Sequence, residues 1–413
     1  MEITPSENAM EAIESHITSW HFPGEVLYLD GPAMSGKSSV LELLHQTRQN
    51  TILIDATGIT AQQLLEKLAE AIGLPSSSFR YGPSDFSDAL EECEESPLIL
   101  LANIQWSGDT RYGREAQHIR KDVLSSFHPR NPPSKVRFIA EIDSSLVSLW
   151  ERAPVVRMPA TTGPERLQAE CEELPENQLA ALQTLALAET KRVTLSEWSA
   201  LCHLRGLRFG TAELSDLVDR CSFLSFGGSE DESVLFSPQC AAAVLRKSTP
   251  NDEADAFHRT VLQLFLSQAE REERRALASY EKRALAPHAA AAGKLADVLA
   301  DARALARCDR DSVLEVLPSE FPDGIVPGTP AADIHYLDAL GIAPESHAEW
   351  LAWLHHTAIN WGISNGPMPS ARQVCHCRGG PCGRTGGRPA VSTHPTRGRM
   401  ASSSCGRPTR TAW

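Results

Sequence analysis

One nine-residue stretch limits the folds open to this chain more than any other: GPAMSGKSS, Gly31 to Ser39. It follows directly on the apolar run EVLYLD and leads into VLELLHQTRQ, whose apolar positions recur at helical spacing. Val26 to Asp30 reads as a short buried strand and Val40 to Leu44 as the opening of an amphipathic helix. A strand, a tight glycine-bearing loop and a helix begin a βα unit, which implies a parallel sheet rather than hairpins.

The chain downstream keeps that rhythm. Thr51 to Asp55 (TILID) predicts a second strand, followed by a helix over Ala61 to Ile72. Pro97 to Ile104 predicts a third strand, followed by a helix near Gly113 to Phe127. Lys135 to Ile142 and Ala153 to Met158 predict the fourth and fifth. The expected fold class is therefore an α/β P-loop NTPase domain with a five-stranded parallel sheet, both faces covered by helices. In such sheets a ligand sits at the carboxyl ends of the strands, where the loop already lies.

The loop satisfies G-x4-G-K-[ST], with Gly31, Gly36, Lys37 and Ser38 in the required places. The two glycines let the backbone fold tightly around phosphate, and amides from Ala33 to Ser38 would point inward. The candidate nucleotide cradle is Gly31, Pro32, Ala33, Met34, Ser35, Gly36, Lys37, Ser38 and Ser39. Lys37 would neutralise the β- and γ-phosphates of ATP or ADP, and the Ser38 hydroxyl would ligand Mg²⁺. The third strand should then end in an acid that holds Mg²⁺ through water; it ends instead in Asn103, Ile104, Gln105 and Trp106. Glu141 and Asp143, closing the fourth strand, could substitute if that strand neighbours the first, or could simply be a solvated strand end. Asp55 is expected at the sheet edge and too far away. Lys37 and Glu141 are the catalytic candidates, and the expectation is nucleotide binding with slow or absent hydrolysis.

After the fifth strand the period changes. Glu176 to Glu189, Leu195 to Leu204 and Thr211 to Cys221 predict three short helices, followed by FLSF, GGSEDES and VLFS. Three helices and a hairpin outline a winged helix. Its third helix carries Glu213, Asp216 and Asp219 against Arg220, and the hairpin tip adds Glu230, Asp231 and Glu232. That is the wrong sign for a phosphate surface, so DNA binding is not expected and a protein-contacting lid is. From Pro250 a helical array follows. Ala254, Phe257, Val261, Leu262, Phe265 and Leu266 line one helix face, and Glu345 to Trp361 makes another helix that brings Trp350, Leu354 and Ile359 near one face with Trp353 and Trp361 flanking it. His288 reads as a packed or capping histidine without a ligand partner, and the adjacent His355 and His356 point to different faces.

At 413 residues and 45.0 kDa the chain has room for two or three cores. The expected division is 1–165 for the NTPase domain, 166–249 for the winged-helix-like lid, 250–365 for the helical domain and 366–413 for a tail. The tail, rich in Gly, Pro, Arg and Ser, is expected to be disordered. From Ala371 to Trp413 it holds eight arginines and no carboxylate side chain, whereas the whole chain carries -14. The tail reads as a basic arm, as a site built from Cys375, His376, Cys377 and Cys382, or as out-of-frame translation of a GC-rich gene, the last being favoured. Ten scattered cysteines suit reduced thiols, and no apolar run reaches the roughly 20 residues of a membrane span. A cytoplasmic location follows as an expectation.

The order of P-loop domain, winged helix and helices, the last running from HRTVLQLFL through RALAPHAAAAGKLADVLAD, resembles bacterial STAND NTPases, signal-transduction ATPases related to AAA+ and NB-ARC proteins. The resemblance covers about Glu7 to Gly362. It implies a regulatory switch in which ADP holds a closed form and ATP permits self-association or binding of a protein partner. Two departures stand out: the missing third-strand acid, and Ser237, Pro238 and Gln239 where a nucleotide-reading histidine would stand in NB-ARC relatives. A nucleotide-regulated transcription factor and a P-loop kinase-like enzyme remain the alternatives.

Overall fold

The computed structural model describes residues 7–19, 26–74, 97–113, 115–127, 136–144, 154–160, 163–227, 233–267, 272–342, 344 and 346–360. The hairpin tip, Trp361 and the whole basic tail lie outside the described residues. Among the described residues no helix is long and apolar enough to cross a membrane.

Helix α1 (Glu7–Thr18) leads to β1 (Val26–Asp30), α2 (Lys37–Thr47), β2 (Thr51–Asp55) and α3 (Ala61–Ile72). Helix α3 is framed as its sequence demands: Thr60 and Gln63 form a reciprocal cap at its start, and Gly73 closes it with φ 77°. Strand β3 (Leu98–Ala102), a short helix α4 (Glu115–His118), β4 (Arg137–Ile142) and β5 (Val155–Arg157) complete the first unit. The five strands are parallel, in the order β2-β3-β4-β1-β5.

Strand alternation sorts the side chains onto two faces. Tyr28, Ile99, Leu101, Phe138 and Ala140 pack with Leu64 and Leu68 of α3 and with Ile119 and Val123. Leu27, Leu29, Leu98, Leu100 and Ile139 pack instead with Ile13 of α1 and with Val40, Leu41 and Leu44 of α2. Glu141, two residues beyond Ile139, therefore falls on the face that carries α2.

The predicted helix from Gly113 to Phe127 is interrupted: α4 gives way to a π-helical turn, Ile119–Val123, and a 3₁₀ turn, Leu124–Phe127. The wider turn lets the Leu124 amide bond Ile119 O, so residues five apart both stay buried against the sheet.

The remainder begins with α5 (Gly163–Glu172), α6 (Glu176–Leu187), β6 (Val193–Thr194), α7 (Leu195–Leu204) and α8 (Thr211–Arg220). Strands β7 (Leu224–Phe226) and β8 (Ser233–Phe236) follow, making a small antiparallel sheet in the order β6-β8-β7. Helix α9 (Cys240–Ser248), absent from the sequence expectation, precedes α10 (Asn251–Leu266), α11 (Glu272–Ala276) and α12 (Ala278–Ala291). The last helices are α13 (Leu295–Ala300), α14 (Ala302–Leu305), α15 (Arg310–Glu320), α16 (Pro330–Ala339) and α17 (His347–Asn360). One apolar cluster runs from Leu167 to Leu354 and crosses residue 250 without a break. Trp198 is its largest fully buried side chain, with its indole N–H on Ala181 O at 2.9 Å.

The loop after β3 is stitched to this second body. Thr110 and Thr190 form a β-bridge, the Lys191 amide bonds Asp109 O at 2.8 Å, and Arg283 of α12 reaches both Asp109 and Glu197. Thr110 also donates to Glu315 of α15.

Candidate functional site

The loop Gly31–Ser39 leaves the carboxyl end of β1 and turns into α2. Gly36 sits at φ 88°, a left-handed conformation that costs an L side chain on the order of 1 kcal/mol or more. At Gly31 a Cβ would stand 2.9 Å from both Met158 Cβ and Met158 O, so this position needs close backbone approach. The two glycines chosen from the motif thus have separate physical reasons.

Lys37 is 3% exposed and folds back onto the loop. Its ammonium donates to Gly31 O at 2.7 Å and Pro32 O at 2.8 Å, with Ser35 Oγ at 3.4 Å. Burial lowers its pKa below the usual lysine value, and the nearby charges of Glu141, Asp143 and Asp30 oppose that.

Beside it stands Glu141, also 3% exposed, brought there by the parallel pairing that sets Leu29 against Glu141. Ser38 Oγ donates to Glu141 Oε2 at 2.7 Å, the Asn103 amide to the same oxygen at 3.3 Å, and Gln105 Nε2 to Oε1 at 3.3 Å. Lys37 Nζ lies 4.0 Å from Oε1. Burial raises the Glu141 pKa above the usual carboxylate value, opposed first by Lys37 and then by these hydrogen bonds. The alternative of a solvated strand end is therefore not what the structure has: this carboxylate is enclosed and fully engaged.

The other acids are placed differently. Asp30 accepts from the Ser144 amide and hydroxyl, both at 2.9 Å. Asp55, on the edge strand β2, accepts from the Thr57 amide at 2.9 Å and from Asn103 Nδ2 at 3.2 Å. Asn103 has φ 60°, so the chain turns sharply as it leaves β3 and sends Gln105 back towards Glu141. Gln105 was not a sequence candidate; its only signal was a polar residue just past a buried strand.

A hydroxyl and a carboxylate, both hard oxygen donors 2.7 Å apart at the start of a helix, fit a Mg²⁺ ion. The strained glycine, the tight approach at Gly31 and the Lys37 ammonium fit a polyphosphate. Lys37 would have to exchange its carbonyl partners for phosphate oxygens.

Elsewhere one expectation holds in part: His288 is packed and fully buried, but it has ligand-type neighbours. His288 is not without a partner: its Nδ1 lies 2.8 Å from His258 Nδ1, and its Nε2 lies 2.8 Å from the Tyr280 hydroxyl. Glu189 Oε1 is 3.6 Å from His258 Nε2, and the Glu189 amide donates to the Tyr280 hydroxyl at 3.0 Å. Burial holds both imidazoles neutral, His258 down to about 3 and His288 well below its usual value. Two helices distant in sequence, α10 and α12, bring these rings together, which no local spacing reveals.

No family model matches the sequence, and no curated protein matches it. Among solved structures, a chain from "Structure of Drosophila ORC bound to GC-rich DNA and Cdc6" is similar at 13% identity and a TM-score of 0.23. The match covers 60% of this chain and 99% of that one. A TM-score of that size supports no conclusion about fold or activity, and the five-stranded parallel sheet stands on its own geometry.

Proposed function

We propose that Gly31–Ser39 holds ATP or ADP, with Mg²⁺ at Ser38 and Glu141, and that the bound nucleotide sets a regulatory switch of STAND type. The observation that carries this reading is the 2.7 Å hydrogen bond from Ser38 to the buried Glu141 beneath a G-x4-G-K-S loop. Glu141 takes the part of the acid absent from β3. It is spent on Ser38, Asn103 and Gln105, which leaves water without a poised base, so hydrolysis is slow or absent.

The division into an NTPase domain (1–165), a lid (166–249), a helical domain (250–365) and a tail (366–413) belongs to the same reading. Helices α6, α7 and α8 with β7 and β8 serve as a winged-helix lid. Its third helix, α8, displays Glu213, Asp216 and Asp219, so it meets protein rather than DNA. Met34 supports a lid that feels the loop, because it packs in the same cluster as Leu167 and lies against Gly163. The contacts of Arg283 with Asp109 and of Glu315 with Thr110, both in the loop after β3, support a nucleotide signal that passes to the helical body.

Sedimentation of the full chain with ADP and with a non-hydrolysable ATP analogue tests the switch. A change of association state between the two is expected; the same state in both would reject switching while leaving binding intact.

A further inference from the structure

A cavity of about 520 Å³ lies between the loop after β3 and one face of α9. Gln105, Trp106, Arg111, Lys191, Gln239 and Arg246 all line it, and none of Gly31–Ser39 does. Among the described residues its charged lining is three cations with no carboxylate, in a chain whose net charge is -14. Local sequence opens the space: α9 turns the small Ala242 and Ala243 towards the cavity, with an amide one turn before and a guanidinium one turn after.

The polar groups are held but not used up. Arg246 is anchored by the Ala186 and Ala188 carbonyls, and Arg111 by Glu189 Oε1 at 3.3 Å. Gln239 is 7% exposed, and among the described residues its Nε2 has no hydrogen-bond partner; the Gln105 Oε1 is likewise buried without one. A buried amide left unpaired costs free energy, so it calls for an explanation. The cations also crowd one another. Burial and then the Arg111 charge push Arg246 down to about 9 against the pull of Glu189, and burial pushes Lys191 down to about 8 against Glu315, Asp109 and Glu115, with Arg246 adding to the fall. An anion among them would relieve that repulsion.

We propose that this cavity binds a small phosphate-bearing metabolite, separate from any nucleotide on Gly31–Ser39, through Arg111, Arg246 and the Gln239 amide. Paired guanidiniums suit phosphate geometry, and charge-assisted hydrogen bonds to a phosphate are among the strong ones. Trp106 supplies an apolar wall for the rest of the ligand. Gln105 lines the cavity and also donates to Glu141 at 3.3 Å, so occupancy would be felt at the P-loop. That coupling rests on the proposed function; the anion site does not.

Calorimetric titration of pyrophosphate into the full chain tests the site, with Lys37→Ala, Gln239→Leu and Arg246→Gln alongside. The parent is expected to bind pyrophosphate both at the loop and in the cavity, and Lys37→Ala to lose the loop event while keeping the cavity event within about twofold, since none of the P-loop lines the cavity. Gln239→Leu should weaken it about tenfold while raising Tm, because the substitution removes an unpaired buried amide; a merely structural role would lower Tm. Arg246→Gln should weaken it between about tenfold and a hundredfold. Should that variant fail to fold after losing its anchors on α6, the Gln239 variant decides alone. Loss of all pyrophosphate binding in Lys37→Ala would assign the anion to the P-loop and overturn the proposal, as would unchanged cavity affinity in Gln239→Leu or no binding in the parent. Absent ATP binding with intact pyrophosphate binding would reject the nucleotide reading and keep this one.

Discussion

Replacing Glu141 by Gln separates a carboxylate kept for stability from one kept for a ligand. The substitution preserves shape and alters charge at a side chain that is 3% exposed. Ser38 can still donate to an amide oxygen, and Gln105, whose Oε1 has no partner, can turn its amide to accept from the new NH₂. What is lost is the attraction to Lys37 at 4.0 Å, at most about 4 kcal/mol at an effective dielectric near 20. What is gained is release from burying a negative charge. Burial is the larger effect, since the Glu141 pKa is raised overall. The ligand-free variant should therefore be at least as stable as the parent.

The sign with pH follows from the same shift. A carboxyl whose folded pKa exceeds its unfolded value of 4.5 contributes stability below that value and loses it as pH rises through the folded pKa. The parent should thus lose stability relative to Glu141→Gln as pH climbs from about 4.5. Mg·ATP affinity should meanwhile fall by about 2 kcal/mol, roughly thirtyfold, the worth of one charged contact. Urea denaturation from pH 4 to 8 and calorimetric titration of Mg·ATP measure the two quantities. A variant destabilised by more than about 3 kcal/mol that binds Mg·ATP normally would refute the reasoning and make Glu141 a structural residue.

Other outcomes can be stated more briefly. Gly36→Ala should cost about 1–2 kcal/mol through its φ of 88° and weaken nucleotide binding, read by thermal unfolding and titration together. ADP at a hundredfold excess over Kd should stabilise the parent by about 2.7 kcal/mol and leave Lys37→Ala unmoved. His258 faces His288, Glu189, Arg111 and Arg246, and its folded pKa is depressed to about 3. Its contribution is present above its ordinary 6.5 and is lost as pH falls towards 3, so the parent should lose stability faster than His258→Gln over that window in acid titrations followed by circular dichroism.

Much of the sheet was legible because its signals are local. TILID is bounded by turn residues and reads as a strand over the same five positions the structure gives it; AQQLLEKLAEAI has a helical apolar stripe, a Thr cap and a closing Gly. The loop glycines were legible because backbone chemistry permits few alternatives there. Helix α9 escaped notice because CAAAVLRKS is short and rich in alanine, so its periodicity is faint. The π turn at Ile119 and the meeting of His258 with His288 depend on packing between distant segments. Glu141 lay between these cases. Its place at a strand end was readable, whereas its enclosure by Ser38, Asn103 and Gln105 required the strand order that puts β4 beside β1.

The most direct measurement is nucleotide affinity and turnover on one preparation of the full chain, with Lys37→Ala in parallel. The account predicts ATP and ADP binding that needs Lys37, with turnover too slow to sustain a cycle. Equal affinity in parent and variant, or no binding in either, would contradict it.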